Sequence, residues 1–203
     1  MFKKQPVVPV PKESTKMRIL SEGSRIIHEK GFNNTGIQEI LDAARVPKGS
    51  FYFYFKSKED FGLQLVDFYL QFILSAVEPH MSATPGKPIE RLRNFFRYMM
   101  GMCEQMGCKG GCPIGNLTQE MADQKDAFRI KVNQALGMIS SQMAKCLEEA
   151  RNLQQINPSL DPGETADFIL NSWEGALLRM KAENSLQPLI VFEKMIFEGL
   201  LKP

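Results

Sequence analysis

The sequence predicts an all-α protein in which a three-helix head is joined to a larger helical body, with about nine helices in total. Apolar residues recur at spacings of three and four through most of the 203 residues, which is the period of a helix. No segment alternates apolar and polar residues strictly enough to predict a strand. Prolines and glycines separate the periodic segments, as they do between helices.

Composition narrows the class of protein. Apolar residues make up 43% and charged residues 24%, which is ordinary for a globular chain. The sequence offers neither an uninterrupted apolar run of about 18 residues nor the apolar core of a signal peptide, so we expect no membrane partner and a cytoplasmic location. The four cysteines are then expected to be reduced, which makes structural disulfides improbable.

The head begins after a proline-rich stretch, residues 1–14, that we interpret as a flexible arm. A first helix is predicted over 15–30, ending at Gly31. Thr35 is placed to cap a second helix, with Gln38 at the spacing of a capping box. The stretch "RVPKGS" predicts a turn, and "KGSFYFYF" a short third helix.

Two helices joined by a tight turn within about 20 residues form a helix-turn-helix, the arrangement that places its second helix in the DNA major groove. Residues 1–60 carry 11 Lys and Arg against 7 Asp and Glu, whereas the rest of the chain carries 14 against 16. A basic head on a mildly acidic body favours an anionic partner. The third helix would present Lys48, Ser50, Tyr52 and Tyr54 outward, with Phe51 and Phe55 as core residues. We therefore expect residues 15–60 to bind double-stranded DNA.

The body, residues 61–203, is predicted to contain only helices. A helix from 58 to about 77 connects it to the head, and a linker with three prolines follows. Further helices are predicted at about 89–106, 113–121, 125–154, 163–184 and 188–201.

The stretch "GCKGGCPIGNL" at 107–117 holds two cysteines among four glycines. It does not fit a phosphate-binding loop, because Lys109 precedes the paired glycines and no Ser or Thr follows them. The spacing of Cys103, Cys108 and Cys112 is not that of the common zinc knuckles, and neither histidine is placed as a fourth ligand. We expect no bound metal and no cofactor, although a metal sensor stays a lesser alternative.

A reactive thiol has a better physical case. Pro113 suits the first position of a helix, which would place Cys112 at the N-cap, facing backbone N–H groups and the positive end of the helix dipole. That dipole would lower the pKa of a thiol only to about 8, so a fast sensor would need a cation such as Lys109. Cys108 could resolve an oxidised Cys112 as a disulfide. Whether Cys112 is reactive or only packs remains open, whereas Cys146 is expected to pack as a small apolar residue.

A cluster of methionines precedes the cysteine-containing stretch. Such a cluster fills core gaps or lines an adaptable ligand pocket. Trp173 could line the same pocket or lie in a subunit interface. The candidate pocket residues are Met99, Met102, Met106, Cys103 and Trp173.

Residues 15–61 resemble the DNA-binding head of TetR-family repressors, through "GFNNTGIQEILDAARVPKGSFYFYFKSKEDF". The resemblance implies two sets of DNA contacts. Thr35, Lys48, Tyr54 and Lys58 would contact phosphates, and Ser50 and Tyr52 would face the groove, with Gly49 part of the same motif. Pro47 departs from a frequent serine and Phe53 from a frequent histidine, so the resemblance does not carry over an operator sequence.

The stretch "GCPIGNL" and the acidic helix after it resemble the bodies of electrophile-responsive members of that family, such as the N-ethylmaleimide- and acrylate-responsive regulators. The resemblance implies a homodimer on a palindromic operator, released by a small-molecule inducer or by modification of Cys112. A reversible small-molecule sensor with structural cysteines is the first alternative. An enzyme using Cys112 as its nucleophile is disfavoured, because neither histidine is placed to act as its base.

Overall fold

The structure, a computed structural model, describes residues 14–81 and 86–203 apart from the side chain of Glu78. Most of the predicted arm, residues 1–13, and linker residues 82–85 lie outside this description. Within the described residues the chain is entirely helical, which confirms the all-α prediction. The helices are α1 Thr15–Lys30, α2 Ile37–Ala44, α3 Gly49–Tyr54, α4 Lys58–Met81, α5 Pro88–Gln105, α6 Pro113–Met121, α7 Asp126–Asn152, α8 Pro162–Glu183 and α9 Gln187–Met195, which a π-helical turn, Ile196–Leu200, continues.

The start of α2 differs from its prediction. Its N-cap is Gly36, which makes no side-chain hydrogen bond. Thr35, the expected cap, is buried at 1% exposure and donates its hydroxyl to the Gly31 carbonyl at 2.8 Å. The Thr35 hydroxyl therefore closes the turn after α1 instead of capping α2.

An aromatic cluster holds α3 against α4. The Phe51 and Phe55 rings lie 5.1 Å apart, and each packs against Phe61 of α4 at 5.7 and 5.0 Å. All three side chains are buried, as predicted for Phe51 and Phe55. Burying such rings stabilises the short helix, which at six residues would not form alone.

Helix α4 is the connection between head and body and continues through Pro79 to Met81, past its predicted end. By length and composition alone it could cross a membrane, but half of its most apolar window is buried inside the protein. It packs against α1, α5, α6 and α7, as the core helix of a globular protein does. Its membrane-like composition therefore reflects burial on several sides.

Head and body share one continuous hydrophobic core. The Phe32 ring, just after α1, packs edge-on against Phe128 of α7 at 5.4 Å. Gly62 of α4 lies beneath both rings, where a Cβ atom would approach each of them to 2.6 Å. The close contact of α4 with these rings therefore requires glycine at this position.

Candidate functional site

The outward face of α3 combines a cation with exposed aromatic rings. Lys48 immediately precedes the helix and is exposed, as is Gly49 at its first position. Tyr52 is 58% exposed and Phe53 81% exposed, although buried aromatic rings are the rule in a core. Ser50 lies half-buried beside them. The structure thus brings Lys48, Ser50 and Tyr52 to one short exposed segment.

The other candidate DNA contacts already make contacts within the protein. Tyr54 is half-buried and packs against Phe53, with the ring centroids 4.8 Å apart. The Lys58 ammonium lies 4.8 Å above the Phe32 ring and donates to the Asn33 carbonyl at 3.3 Å. Burial lowers its pKa, an effect that Glu120 opposes. The expected phosphate contact by Thr35 is contradicted, because its hydroxyl is buried and already donates to Gly31.

Two further head residues face solvent and were not proposed as DNA contacts from the sequence. Arg45 is exposed in the turn between α2 and α3, in the left-handed conformation with φ 54°. Arg18 fixes this turn by donating to the carbonyls of Ala44 and Arg45. Phe53 is the second residue, and its apolar ring suits a thymine methyl group. A basic residue directly before "VPKGS" was the signal available for Arg45.

A cavity of about 430 Å³ lies in the body next to the head. Its volume is in the range of small-molecule sites. Phe72 of α4 and Met106 after α5 line it and are also 48% and 42% exposed, so part of the cavity wall reaches the protein surface. All five candidate pocket residues line the cavity: Met99, Met102, Met106, Cys103 and Trp173.

The head supplies part of the cavity wall. Ser21, Ser24 and His28 of α1 all line the cavity. Tyr69 of α4 donates its hydroxyl to the Ser24 carbonyl at 2.9 Å. His28 Nε2 lies 2.9 Å from the Gly111 carbonyl oxygen, and it bears the hydrogen of this bond because a carbonyl only accepts.

The glycine-rich stretch forms a tight corner between α5 and α6. Gly107, Cys108, Gly110 and Gly111 all have positive φ, between 59° and 82°. A Cβ atom on Gly110 would overlap the His28 ring, so this glycine allows the corner to meet α1. Cys108 adopts the left-handed conformation and is not among the cavity-lining residues.

Cys112 is the N-cap of α6, as predicted, and its sulfur accepts the Gly115 N–H at 3.3 Å. The lowering of its pKa predicted from the helix dipole is contradicted, because burial raises the pKa of this thiol well above its usual value. The nearby Glu174 carboxylate raises the pKa further, while the N–H groups of Gly115 and Ile114 lower it. Lys109 is exposed and has no part in this shift. Some of the Cys112 surface is accessible, and Cys112 lines both the cavity and a smaller neighbouring pocket that Lys181 also lines.

Glu174 of α8 is a functional candidate that the sequence interpretation missed. Its carboxylate lines the cavity within hydrogen-bonding reach of the Cys112 thiol. Burial raises its pKa, an effect that the Cys112 hydrogen bond opposes. The signal was an acidic residue directly after Trp173, on an apolar stretch of α8.

The other buried thiols are suited to packing. Burial raises the pKa of both Cys103 and Cys146 to about 11. The Cys146 sulfhydryl donates to the Pro88 carbonyl at 3.1 Å. The described residues hold no group of three or more His, Cys, Asp or Glu side chains suited to a metal ion.

Helix α6 also contacts the head directly. The Glu120 carboxylate accepts the backbone N–H groups of Phe32 and Asn33, both at 3.1 Å. Lys125, between α6 and α7, pairs with Glu59 of α4 at 3.2 Å. The corner thus contacts the last turn of α1, and α6 contacts the residues that directly follow it.

Comparison with known proteins assigns both halves of the chain. Residues 19–65 match the family described as bacterial regulatory proteins, tetR family, and residues 88–196 match the tetracyclin repressor-like, C-terminal domain. The chain is 32% identical to the HTH-type transcriptional repressor DhaR of Mycobacterium sp. (strain GP1) over 92% of both proteins. It is 36% identical to the transcriptional regulator AcuR of Cereibacter sphaeroides, over 87% of this chain and 80% of that protein.

The fold is also similar to that of a solved relative. The crystal structure of the reduced form of E. coli NemR superposes with a TM-score of 0.84 at 26% identity, covering 94% of this chain and 100% of that one. NemR is a transcriptional repressor. Proteins of this kind bind DNA and typically act as dimers. The helix-turn-helix head, the helical body and these similarities together place the chain in the TetR family of DNA-binding transcriptional regulators.

Proposed function

We propose that this chain is a cytoplasmic repressor that binds a palindromic operator as a homodimer and is released when a small molecule occupies the cavity. The observation that carries the proposal is the position of Ser21, Ser24 and His28. They belong to the DNA-binding head, yet they form part of the cavity wall. A molecule in the cavity would therefore contact the head directly.

The exposed segment from Lys48 to Phe53 is the proposed DNA-reading element. Lys48 would contact a phosphate, and Ser50 and Tyr52 would approach base edges, with Phe53 beside them. In a dimer, two such helices about 34–36 Å apart would enter successive major grooves on one side of the duplex.

The proposed dimer interface is the outer face of α8 and α9. Phe168 is 56% exposed, Val191 49% and Met195 61%, and all three line one shallow groove. Exposed apolar residues that cluster in this way mark an interaction surface. Two copies of the α8–α9 pair would pack as a four-helix bundle.

Occupation of the cavity would change DNA affinity through α1. The corner residue Gly111 holds His28, and Glu120 of α6 holds the turn after α1. A molecule that moves either contact changes the tilt of the head relative to the body. A coupling free energy of about 1–3 kcal/mol is enough to change operator affinity 5–150-fold.

Covalent modification of Cys112 is a second route to release. Its thiol lines the cavity, so an electrophile bound there would be held next to the sulfur. The raised pKa makes this thiol slow to react with reagents that do not first bind. Cys112→Ser separates the two routes, because only release by modification requires the sulfur.

The direct test is to fill the cavity from the head. Ser24→Phe would place a ring in the cavity, and Ser24→Ala is the matched control. Binding is measured by fluorescence anisotropy on DNA from beside the gene, after footprinting defines the protected site. We expect Ser24→Phe to bind at least about 5-fold more weakly, since it mimics an occupant. A folded Ser24→Phe protein with unchanged operator affinity would contradict the proposal.

A further inference from the structure

Glu174 gives the cavity an uncompensated negative charge. It is the one Asp, Glu, Lys or Arg among the described residues that line the cavity. It makes no ion pair within the described part of the chain. Lys181, two turns along α8, instead directs its ammonium to Asn116 Oδ1 at 3.4 Å. The carboxylate therefore lacks a fixed cation, and a bound molecule could supply one.

Three polar donors of the cavity wall, on Tyr69, Ser24 and His28, are already engaged, whereas the Ser21 hydroxyl has no hydrogen-bond partner within the described residues. Tyr69 donates its hydroxyl to the Ser24 carbonyl, and Ser24 donates its own to the Ser21 carbonyl at 2.7 Å. His28 directs its Nε2 hydrogen to the Gly111 carbonyl. The Glu174 carboxylate accepts from the Cys112 thiol and keeps further lone pairs that a donor on a bound molecule could fill.

The apolar part of the wall suits an organic cation or an N–H donor. Aromatic rings attract cations through their faces, and thioethers are polarisable and adapt to shape. Phe68, Phe95 and Trp173 supply such rings, and Met99, Met102 and Met143 supply thioethers.

We propose that the cavity takes apolar molecules that carry a protonated amine or a neutral N–H donor, which Glu174 holds, and that it rejects carboxylates. This inference rests on the proposed function of the cavity as the inducer site. A carboxylate held about 4–5 Å from Glu174 would be repelled at an effective dielectric constant of about 20 strongly enough to weaken its binding by at least about 100-fold. The acrylate anion is accordingly not expected to bind, although part of the sequence resembles acrylate-responsive regulators.

The test uses three ligands of one skeleton: 3-phenylpropylamine, 3-phenylpropionamide and 3-phenylpropionate. All three are saturated, so none can add to the Cys112 thiol. Trp173 is the single tryptophan of the chain and lines the cavity, so its fluorescence reports occupation in the full-length protein. We expect the amine and the amide to bind, and the carboxylate to bind at least about 100-fold more weakly than the amine.

Glu174→Gln should reduce the ratio of amine affinity to carboxylate affinity at least 10-fold, and it should leave the affinity for the amide nearly unchanged. Glu164→Gln, which removes an exposed charge from the same helix, should leave the ratio as it is. A thermal melt of each variant shows whether it is folded. If Glu174→Gln unfolds, the ratio in the wild-type protein still decides the proposal.

Carboxylate binding as tight as that of the amide, or a ratio unaffected by Glu174→Gln, would overturn the proposal. So would the absence of a fluorescence change with all three ligands. Operator binding by the ligand-free protein is measured in parallel. If it persists while the ligand ranking fails, the ligand class is wrong and the repressor function stands.

Discussion

The pKa of the Cys112 thiol is set by neighbouring groups that act in opposite directions. The N–H groups at the start of α6 favour its thiolate, whereas burial and the Glu174 carboxylate favour the protonated thiol. Burial is the largest of these influences, so the pKa is raised overall. The sulfur is therefore a weak nucleophile at neutral pH toward any reagent that reaches it by collision.

The first prediction concerns the pH dependence of Cys112 alkylation. Because its pKa is raised, the thiolate fraction should rise about tenfold per pH unit through pH 7–9. Iodoacetamide labelling resolved by mass spectrometry measures the rate at each cysteine. Glu174→Gln should speed the Cys112 reaction, since it removes a charge that raises the pKa. A rate that levels off below pH 8 in the wild-type protein would refute the raised pKa.

The short α3 is the proposed DNA-reading element of the head. The Phe51 ring of α3 and the Phe55 ring directly after it anchor the helix to α4, and the outer side chains of α3 stay exposed. One buried structural ring, Phe51, thus lies among the exposed residues that are proposed to contact DNA. Substitutions on the outer side should change DNA affinity without destabilising the fold.

The second prediction follows from that division. Lys48→Ala and Tyr52→Ala should each weaken operator binding about 10-fold or more while the melting temperature changes little. Lys48→Ala should also reduce the slope of log affinity against log salt, because a phosphate contact releases counterions. Lys202→Ala removes an exposed lysine far along the chain and serves as the control. Unchanged affinity for both head variants at physiological salt would rule out this docking.

Helix α6 provides the third prediction, through its contact with the head. Glu120→Ala leaves the N–H groups of Phe32 and Asn33 without their acceptor, which should cost about 1–3 kcal/mol of folding free energy. Glu120→Gln retains one acceptor oxygen and should cost less. Urea unfolding measures both, with the exposed Glu104→Ala as control. Equal stabilities for Glu120→Ala and Glu104→Ala would show that the contact contributes nothing.

Dimerisation is the property of the whole molecule on which operator binding is proposed to depend. The fourth prediction is that Met195→Glu, which places a charge in the apolar α8–α9 face, yields monomers and weakens operator binding. Met138→Glu is a matched control, because Met138 is 54% exposed on α7, away from that face. Sedimentation velocity gives the mass of each. A Met195→Glu protein that stays dimeric would place the interface elsewhere.

The sequence predicted the helices of this molecule well, because proline and glycine mark their ends and the apolar period is regular. The start of α6 at Pro113 is an example. Prediction from the sequence failed where the role of a residue depends on neighbours that are distant in the chain. The Thr35 hydroxyl is buried against Gly31, and the Cys112 thiol meets Glu174, which is 62 positions away. Local rules for caps and dipoles describe neither contact.

The sharing of Ser21, Ser24 and His28 between the head and the cavity wall has a practical consequence for protein engineering. A chimera joined near residue 60 would import a foreign α1 along with a new DNA specificity and would thereby replace part of the cavity wall. A graft that is intended to change the DNA specificity alone should therefore exchange only the segment from α2 to α3 and keep the native α1.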